Sequence, residues 1–485
     1  MNRQFLFGIG SGIFLLSIMF SLNAQASIVF SKANSPYYLT EDYVVTNNDT
    51  IIIEAGTTII LSPNVNLITN GALIMEGTAE EPVSLLPEIE GVGWGKIEFD
   101  SPGKTSRFKY AIIVDGSILS WYCNMNLDNT TFINNQNLAW NNPVMFVRNA
   151  SVNITNSSIY GSYSGEGFQM LNSEEVLVKN CFFSKIPDAV ELTNVVGGYI
   201  SHNYFEDIPD DAIDLNNCTN TLIDSNIIIN AADRGIELGS ENNGNSENII
   251  VKRNVLINCK TGVIFKEDSY GQIINNTFYG DTVAIRCIED NTPKAGSYVN
   301  IQNCIFSNSV EMDVYHDLNS IVNIDYCLSD KEQLPGNHNI LADPLFIDVS
   351  EYNFNLQENS PCINAGNPEL PLDPNNTISD IGAYYFNTDT TGIIEQNDIF
   401  NSLQIYPNPF EGEFTIRWQS SSKTNVSVEL FDLNGTMLPI NTKKEQSAIR
   451  NSINVIPLTK LKSNMVVICK VSVVGNSSSF LLIHR

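Results

Sequence analysis

Basic residues are scarce in this chain. Across 485 residues, 26 Lys and Arg stand against 54 Asp and Glu, giving a formal charge of -28. A surface of that sign repels nucleic acid and anionic membrane, so neither is an expected partner. Histidine is scarcer still: His202, His316, His338 and His484 lie far apart with no metal-ligand spacing, which argues against zinc. The nine cysteines are scattered singly, with no Cys-x-x-Cys pair. An odd count without a framework argues against a disulfide scaffold. Past residue 26 no apolar run is long enough to cross a bilayer, so the mature chain is expected to lack a transmembrane segment. No 3.6-residue apolar stripe exceeds two turns there either, which rules out helical repeats. The glycine clusters at Gly8–Gly12 and Gly91–Gly95 fall in a leader and a turn, so neither is a phosphate cradle.

What the chain does have is a secretory leader and a ladder. Arg3 supplies a positive start, Phe5 to Phe20 an apolar run, and Ala24-Gln25-Ala26 a small-residue cleavage site, so export with cleavage after Ala26 is expected. An asparagine followed by a large apolar residue then returns at Asn129, Asn156, Asn180, Asn203, Asn226, Asn254, Asn276 and Asn303. A period of this size marks a solenoid. Short alternating runs fill each step, as in Val176-Leu177-Val178, Ala212-Ile213-Asp214-Leu215 and Gly235-Ile236-Glu237-Leu238. These are strands, and two or three per repeat describe one coil of a parallel β-helix. Asparagine suits the corners because it tolerates the left-handed backbone region and its amide can bond to the same position one coil on. Cys304 and Cys327 fall at equivalent places in consecutive coils; a disulfide is geometrically feasible there, and free thiols are the expected state.

Several phrases carry resemblances. Gly71 to Thr78, Pro82-Val83 and Gly93-Trp94-Gly95 resemble the opening coils of secreted pectin-lyase-like proteins, which implies a right-handed solenoid over residues 27–387. Ala342-Asp343-Pro344-Leu345-Phe346, Ser360 to Gly366 and Asp380 to Tyr385 look like the closing module of bacterial surface β-helix proteins. That module starts at about residue 340 and is expected to cover the open last coil. Residues 388–402 are polar and aperiodic and read as a linker. Beyond them, Tyr406-Pro407-Asn408-Pro409, Leu430 to Gly435 and the terminal strand resemble the type A C-terminal sorting domain of the type IX secretion system, over residues 403–485. One departure stands at Ser463-Asn464-Met465, where that family carries a glycine and an aromatic. Alternation in this stretch predicts a small β-sandwich. The resemblance implies handling by the type IX machinery, then release or attachment at the cell surface.

Aligning the coils by their inner apolar residues stacks the polar ones. One column reads Glu166, Asp188, Asp211, Arg234, Thr261, Val283, and a second reads Gln169, Glu191, Asp214, Glu237, Ile264, Arg286. Like charges about 4.8 Å apart repel; a bound cation, a shared proton or pairing with Arg234 would offset them, unless the carboxylates are simply solvated on an acidic surface. Calcium at Glu191, Asp214 and Glu237 is one candidate; no other cofactor is expected. A shared proton instead places an acid beside a base, the equipment of glycoside hydrolysis. The coils around Asp188, Asp210-Asp211, Asp233 to Ser240 and Gly262 to Lys266 are similar in order to the signature coils of polygalacturonase-type hydrolases. That resemblance implies Asp188, Asp210 and Asp211 as catalytic acids and retains Lys266; Arg234, Glu237 and Lys266 are expected to bind substrate. Arg234 stands where that family has a histidine, and Ile264 where it has an arginine. Trp121, Tyr122, Trp140 and Tyr160 offer a sugar-stacking surface or ordinary packing. The reading is an exported monomer that binds or cleaves an extracellular polysaccharide, as hydrolase or lyase, with a non-catalytic binding or structural surface protein as the alternative.

Overall fold

The computed structural model describes residues 27–46, 48–133, 142–161, 165–239, 244–289, 296–386, 404–418, 426–432, 437–446, 451–461, 465–473 and 476–484. The leader, Trp140 and the linker lie outside these residues. Among those described, no helix is long and apolar enough to cross a membrane.

Successive strands visit three sheets in turn, and each pairs in parallel with the strand one coil further on. The result is a β-solenoid with sheets of 13, 14 and 12 strands. Sheet 1 runs from Ser27–Phe30 to Ile321–Asp325, sheet 2 from Tyr37–Leu39 to Ile340–Leu341, and sheet 3 from Tyr43–Val45 to Met312–His316. Burial alternates along each strand because successive side chains point to opposite faces, as in Thr58–Leu61 and Val176–Lys179. Inward residues stack on their own kind: Phe183 and Phe205 lie 4.8 Å apart with planes 7° from parallel. Their spacing is the strand spacing itself, so one continuous apolar core runs the length of the solenoid.

The asparagine ladder is two adjacent columns. At the corner between sheets 1 and 2, Asn129, Asn156, Asn180, His202, Ser225, Arg253, Asn275 and Asn303 all have left-handed backbones, with φ between 50° and 58°. One residue later, Asn203, Asn226, Asn254 and Asn276 are fully buried. Each of the first three donates both its backbone N–H and its amide to the Oδ1 of the next, at 2.8–3.0 Å. Where the sequence reads Asn in either column the spacing looks continuous, and only the backbone separates an Asn chosen for its φ from one chosen for its amide. The inner column continues through Cys304 and Cys327, both buried thiols, to Asn339: the Cys304 N–H donates to Cys327 Sγ at 3.4 Å and the Cys327 N–H to Asn339 Oδ1 at 2.8 Å.

The solenoid ends are closed differently from the expectation. At the start, Phe30, Tyr37 and Tyr43, one from each sheet, pack edge to face at 4.9 and 5.3 Å. At the far end Leu334, between the strands Leu328–Ser329 and Ile340–Leu341, is buried in the core. The closing segment, expected over that coil, lies along the outer face of sheet 2. That face carries an apolar stripe through Phe182, Tyr204, Ile227, Val255 and Ile305, and Phe346, Phe354 and Ile381 pack against it. Asn275 Nδ2 donates to the Asp380 carbonyl at 2.7 Å, and Asn303 Oδ1 accepts from the Asn367 N–H at 2.8 Å, fixing the segment two coils back. Covering apolar area there gains more than covering one coil end.

The C-terminal strands form an antiparallel arrangement around Phe414, Ile416, Trp418, Val455 and Cys469. Two of its strands, Ile440–Gln446 and Asn451–Pro457, were not expected from sequence. The first reads Ile-Asn-Thr-Lys-Lys-Glu-Gln, with no apolar alternation, because it is an edge strand whose charges discourage further pairing. Arg417 touches the solenoid: its guanidinium meets Glu206 at 2.7 Å and lies over the rings of Phe182 and Tyr204.

Candidate active site on the third sheet

Sheet 3 brings the expected acids together. Gln169, Glu191, Asp214, Glu237, Ile264 and Arg286 are consecutive register partners and form one outward column. Two residues before each strand's first core residue comes the other column, where the Asp211 N–H donates to Asp188 Oδ1 at 3.3 Å and the Arg234 N–H to Asp211 Oδ1 at 2.9 Å. Small residues make this second column possible. The residue after each member of this column is small, Ala189, Ala212, Gly235 and Gly262, and a Cβ on Gly235 would lie 2.6 Å from the Gly262 carbonyl. Asp188 itself adopts a left-handed backbone, φ 37°, which Asp tolerates better than most residues.

Carboxylate oxygens of Asp188, Asp210 and Asp211 lie within 4.8 Å of one another, and so do those of Asp211, Asp214 and Glu237. Asp211 belongs to both groups and is the hinge of the site. Arg234 Nη1 meets Glu237 at 2.7 Å, Asp233 at 2.9 Å and Asp211 at 3.3 Å, while Lys266 pairs with the other oxygen of Glu237. The two cations therefore clamp Glu237 between them. Glu191 sits apart from this centre, accepting from Gln169 Nε2 at 2.6 Å and Thr193 Oγ1 at 3.3 Å. Among the described residues, the carboxylates that converge with Asp214 and Glu237 include Asp211, whereas the calcium candidate read from sequence had Glu191 as its third member. The trio with Asp211 fits calcium poorly, because Arg234 and Lys266 already engage both oxygens of Glu237.

Burial first, then neighbouring charge, holds protons on this cluster. Asp188 is pushed up to about 7 by burial and by Asp210. Asp211 and Asp214 rise well above the usual carboxylate range through burial and the nearby charge of Glu237. Asp210 is raised too, by burial and Asp233. For Arg234, burial is outweighed by Asp211, Glu237 and Asp233, which hold it charged. A site with protonated and ionisable carboxyl groups side by side can donate and accept a proton in one reaction.

Several groups that shape the site escaped the sequence reading. Lys260 pairs with Asp233 at 2.7 Å, and Asn216 donates to Asp214 at 2.9 Å. The signal for Lys260 was its place just before Thr261, which stacks on Arg234. The aromatic set divides: Trp121 lies on sheet 3 near Phe146, centroids 5.9 Å apart, whereas Tyr160 packs against Phe182 on sheet 2, facing another side. Tyr122 is exposed at a corner with φ 63°.

Comparison with known proteins agrees with this architecture. Residues 116–283 match the family model of a right handed beta helix region, and residues 404–462 match that of a secretion system C-terminal sorting domain. No curated protein matches the chain by sequence. Among solved structures, an alginate lyase from Paenibacillus sp. str. FPU-7 is similar at 13% identity, covering 61% of this chain and 99% of that one, with a TM-score of 0.28. The A-module of a mannuronan C-5 epimerase from Azotobacter vinelandii is similar at 10% identity, covering 61% and 91%, with a TM-score of 0.26. An endo-xylogalacturonan hydrolase from Aspergillus tubingensis is similar at 11% identity, covering 61% and 85%, with a TM-score of 0.30. Built as it is from stacked parallel coils and an antiparallel C-terminal module, the chain is a right-handed parallel β-helix protein carrying a sorting domain for type IX secretion to the cell surface or beyond.

Proposed function

We propose that the protein cleaves an extracellular polysaccharide on sheet 3, with Asp188, Asp210 and Asp211 as the reacting groups. The observation that carries this reading is the placing of these three carboxyl groups, from consecutive coils, with oxygens within 4.8 Å. Three such groups cannot all ionise, so at neutral pH a proton is shared among them. One then protonates the leaving oxygen while an ionised neighbour acts on water or on the sugar. Asp188, pushed up to about 7, is suited to donate at neutral pH; Asp210, less deeply buried, is suited to accept. Arg234 holds Asp211 in place and keeps the cluster from expelling an anionic sugar. Glu237 braces Arg234 from the same strand and is itself held by Lys266 of the next coil, so their part is positioning.

The test is turnover of a polysaccharide panel by the exported protein, with and without chelator, alongside Asp211→Asn. Cleavage abolished by that substitution and indifferent to chelator supports the reading. No product from any polymer, with retention of one of them on the protein, points to an exported binding protein instead. That second reading is favoured by Arg234 itself, whose Nη1 is already engaged by three carboxylates.

A further inference from the structure

The outward face of sheet 3 continues well beyond the acids. Upstream, the carboxylate column extends to Phe146, and Arg148 stands two residues along the same strand, paired in register with Trp121. Downstream the same column reaches Arg286, paired in register with Tyr315. Each arginine lies over the ring of its partner, with the guanidinium carbon 5.4 Å from the Trp121 and Tyr315 centroids.

These two arginines differ from the other cations of this flank. Lys96, Arg234, Lys260 and Lys266 all lie within 4 Å of a carboxylate. Among the described residues, neither Arg148 nor Arg286 has a carboxylate at that distance, in a chain with twice as many acids as bases. A guanidinium lying on an aromatic ring is held in place while its edge stays open to a carboxylate or sulfate. The ring's remaining surface offers the apolar face of a sugar something to lie on.

Their placement is symmetric. From the strand of Asp214, Arg148 is three strands upstream through Glu191 and Gln169, and Arg286 three strands downstream through Glu237 and Ile264. At about 4.8 Å per strand, the two arginines are about 29 Å apart. A pyranose repeat is close to one strand spacing, so about seven sugars span the distance, with the acids under the middle ones.

We infer that Arg148 on Trp121 and Arg286 on Tyr315 are two anion-binding subsites that grip the same polyanionic glycan on either side of the acids, along the solenoid axis. The inference rests on the reading of sheet 3 as a polysaccharide site and adds the substrate's charge, direction and minimum length. An enzyme so built attacks within chains and leaves short ends untouched.

The experiment measures affinity of the full exported protein, as Asp211→Asn to prevent turnover, for size-fractionated oligogalacturonates and oligoalginates of about three and about ten units, with neutral gluco-oligosaccharides as control. Arg148→Gln and Arg286→Gln are each expected to weaken the long uronate oligomer about tenfold, a charge-assisted hydrogen bond's worth, and the double variant more. The three-unit oligomer, too short to reach either arginine from the centre, is expected to bind alike to all. Equal affinity for neutral and uronate oligomers, or arginine effects independent of length, would overturn the inference. Cleavage of a neutral polymer that ignores both arginine variants overturns it too while sustaining the hydrolytic reading; length-dependent uronate binding without turnover of any polymer by the unsubstituted protein sustains the inference and removes that reading.

Discussion

The column Asn203, Asn226, Asn254 and Asn276 and the column Glu191, Asp214 and Glu237 are built alike, one polar side chain per coil in unbroken register. Inside the corner, each amide both donates and accepts, so every step of the stack satisfies the next. Outside sheet 3, a carboxylate can only accept when ionised, so identical stacking produces repulsion that has to be relieved from elsewhere. Relief comes from protons on Asp188, Asp211 and Asp214 and from the guanidinium and ammonium on Glu237. The amide column is stable because it is complete. The acid column is reactive because it is not.

That contrast can be broken most sharply at Asp211. Asp211→Asn converts one acid into an amide and is expected to cut turnover by about 10³-fold, within the range for losing a general acid or base. The urea midpoint should rise at the same time, since the repulsion has been removed. In the other column, Asn226→Ala is expected to cost about 4 kcal/mol. It strands the Asn203 N–H and the Ile200 carbonyl, which now accepts from Asn226 at 2.9 Å, while Asn254 Oδ1 loses the amide and keeps only the backbone N–H of residue 226. A urea titration reads this, and a loss below about 1 kcal/mol would mean that the ladder is ornamental. Lys266→Met should cost about 2 kcal/mol, less than a fully orphaned buried carboxylate because Arg234 remains on Glu237.

A smaller effect sharpens the comparison through pH. Asp188 has a folded value of about 7, above its unfolded value near 3.8, so the native state holds the proton more tightly. Its contribution to stability is full at the acidic end, declines as pH rises through that window, and is lost above about 7. The urea midpoint is therefore expected to be higher at pH 5 than at pH 8, and Asp188→Asn should flatten that slope. The asparagine ladder does not titrate, so Asn226→Ala should lower the midpoint equally at both pH values.

Much of this was legible in the chain. The inner residues set the register, and because a parallel solenoid repeats one register without shift, writing the coils beneath one another placed Gln169 through Arg286 in their true column. The ladder's division was illegible, since Asn serves a left-handed φ and a buried amide equally well and neighbouring columns differ by one residue. The edge strand Ile440–Gln446 lacked a pattern because Asn441, Thr442, Lys443 and Lys444 are all exposed, so no apolar alternation marks a buried face. The closing segment's position was hidden as well: Phe346, Phe354 and Ile381 announce apolar surface to be buried, but not which of two open surfaces buries it.

Sequence by itself determined the repeat, the strand character of each step and the vertical neighbours along sheet 3, because these depend on spacing along one chain. Only the tertiary structure decided which charges neutralise one another, that Glu237 is held by two cations while Glu191 accepts from Gln169 and Thr193, and that two arginines lie on rings rather than on acids. Those outcomes depend on directions and distances across coils, and electrostatic energy changes with ångströms that a residue count does not contain.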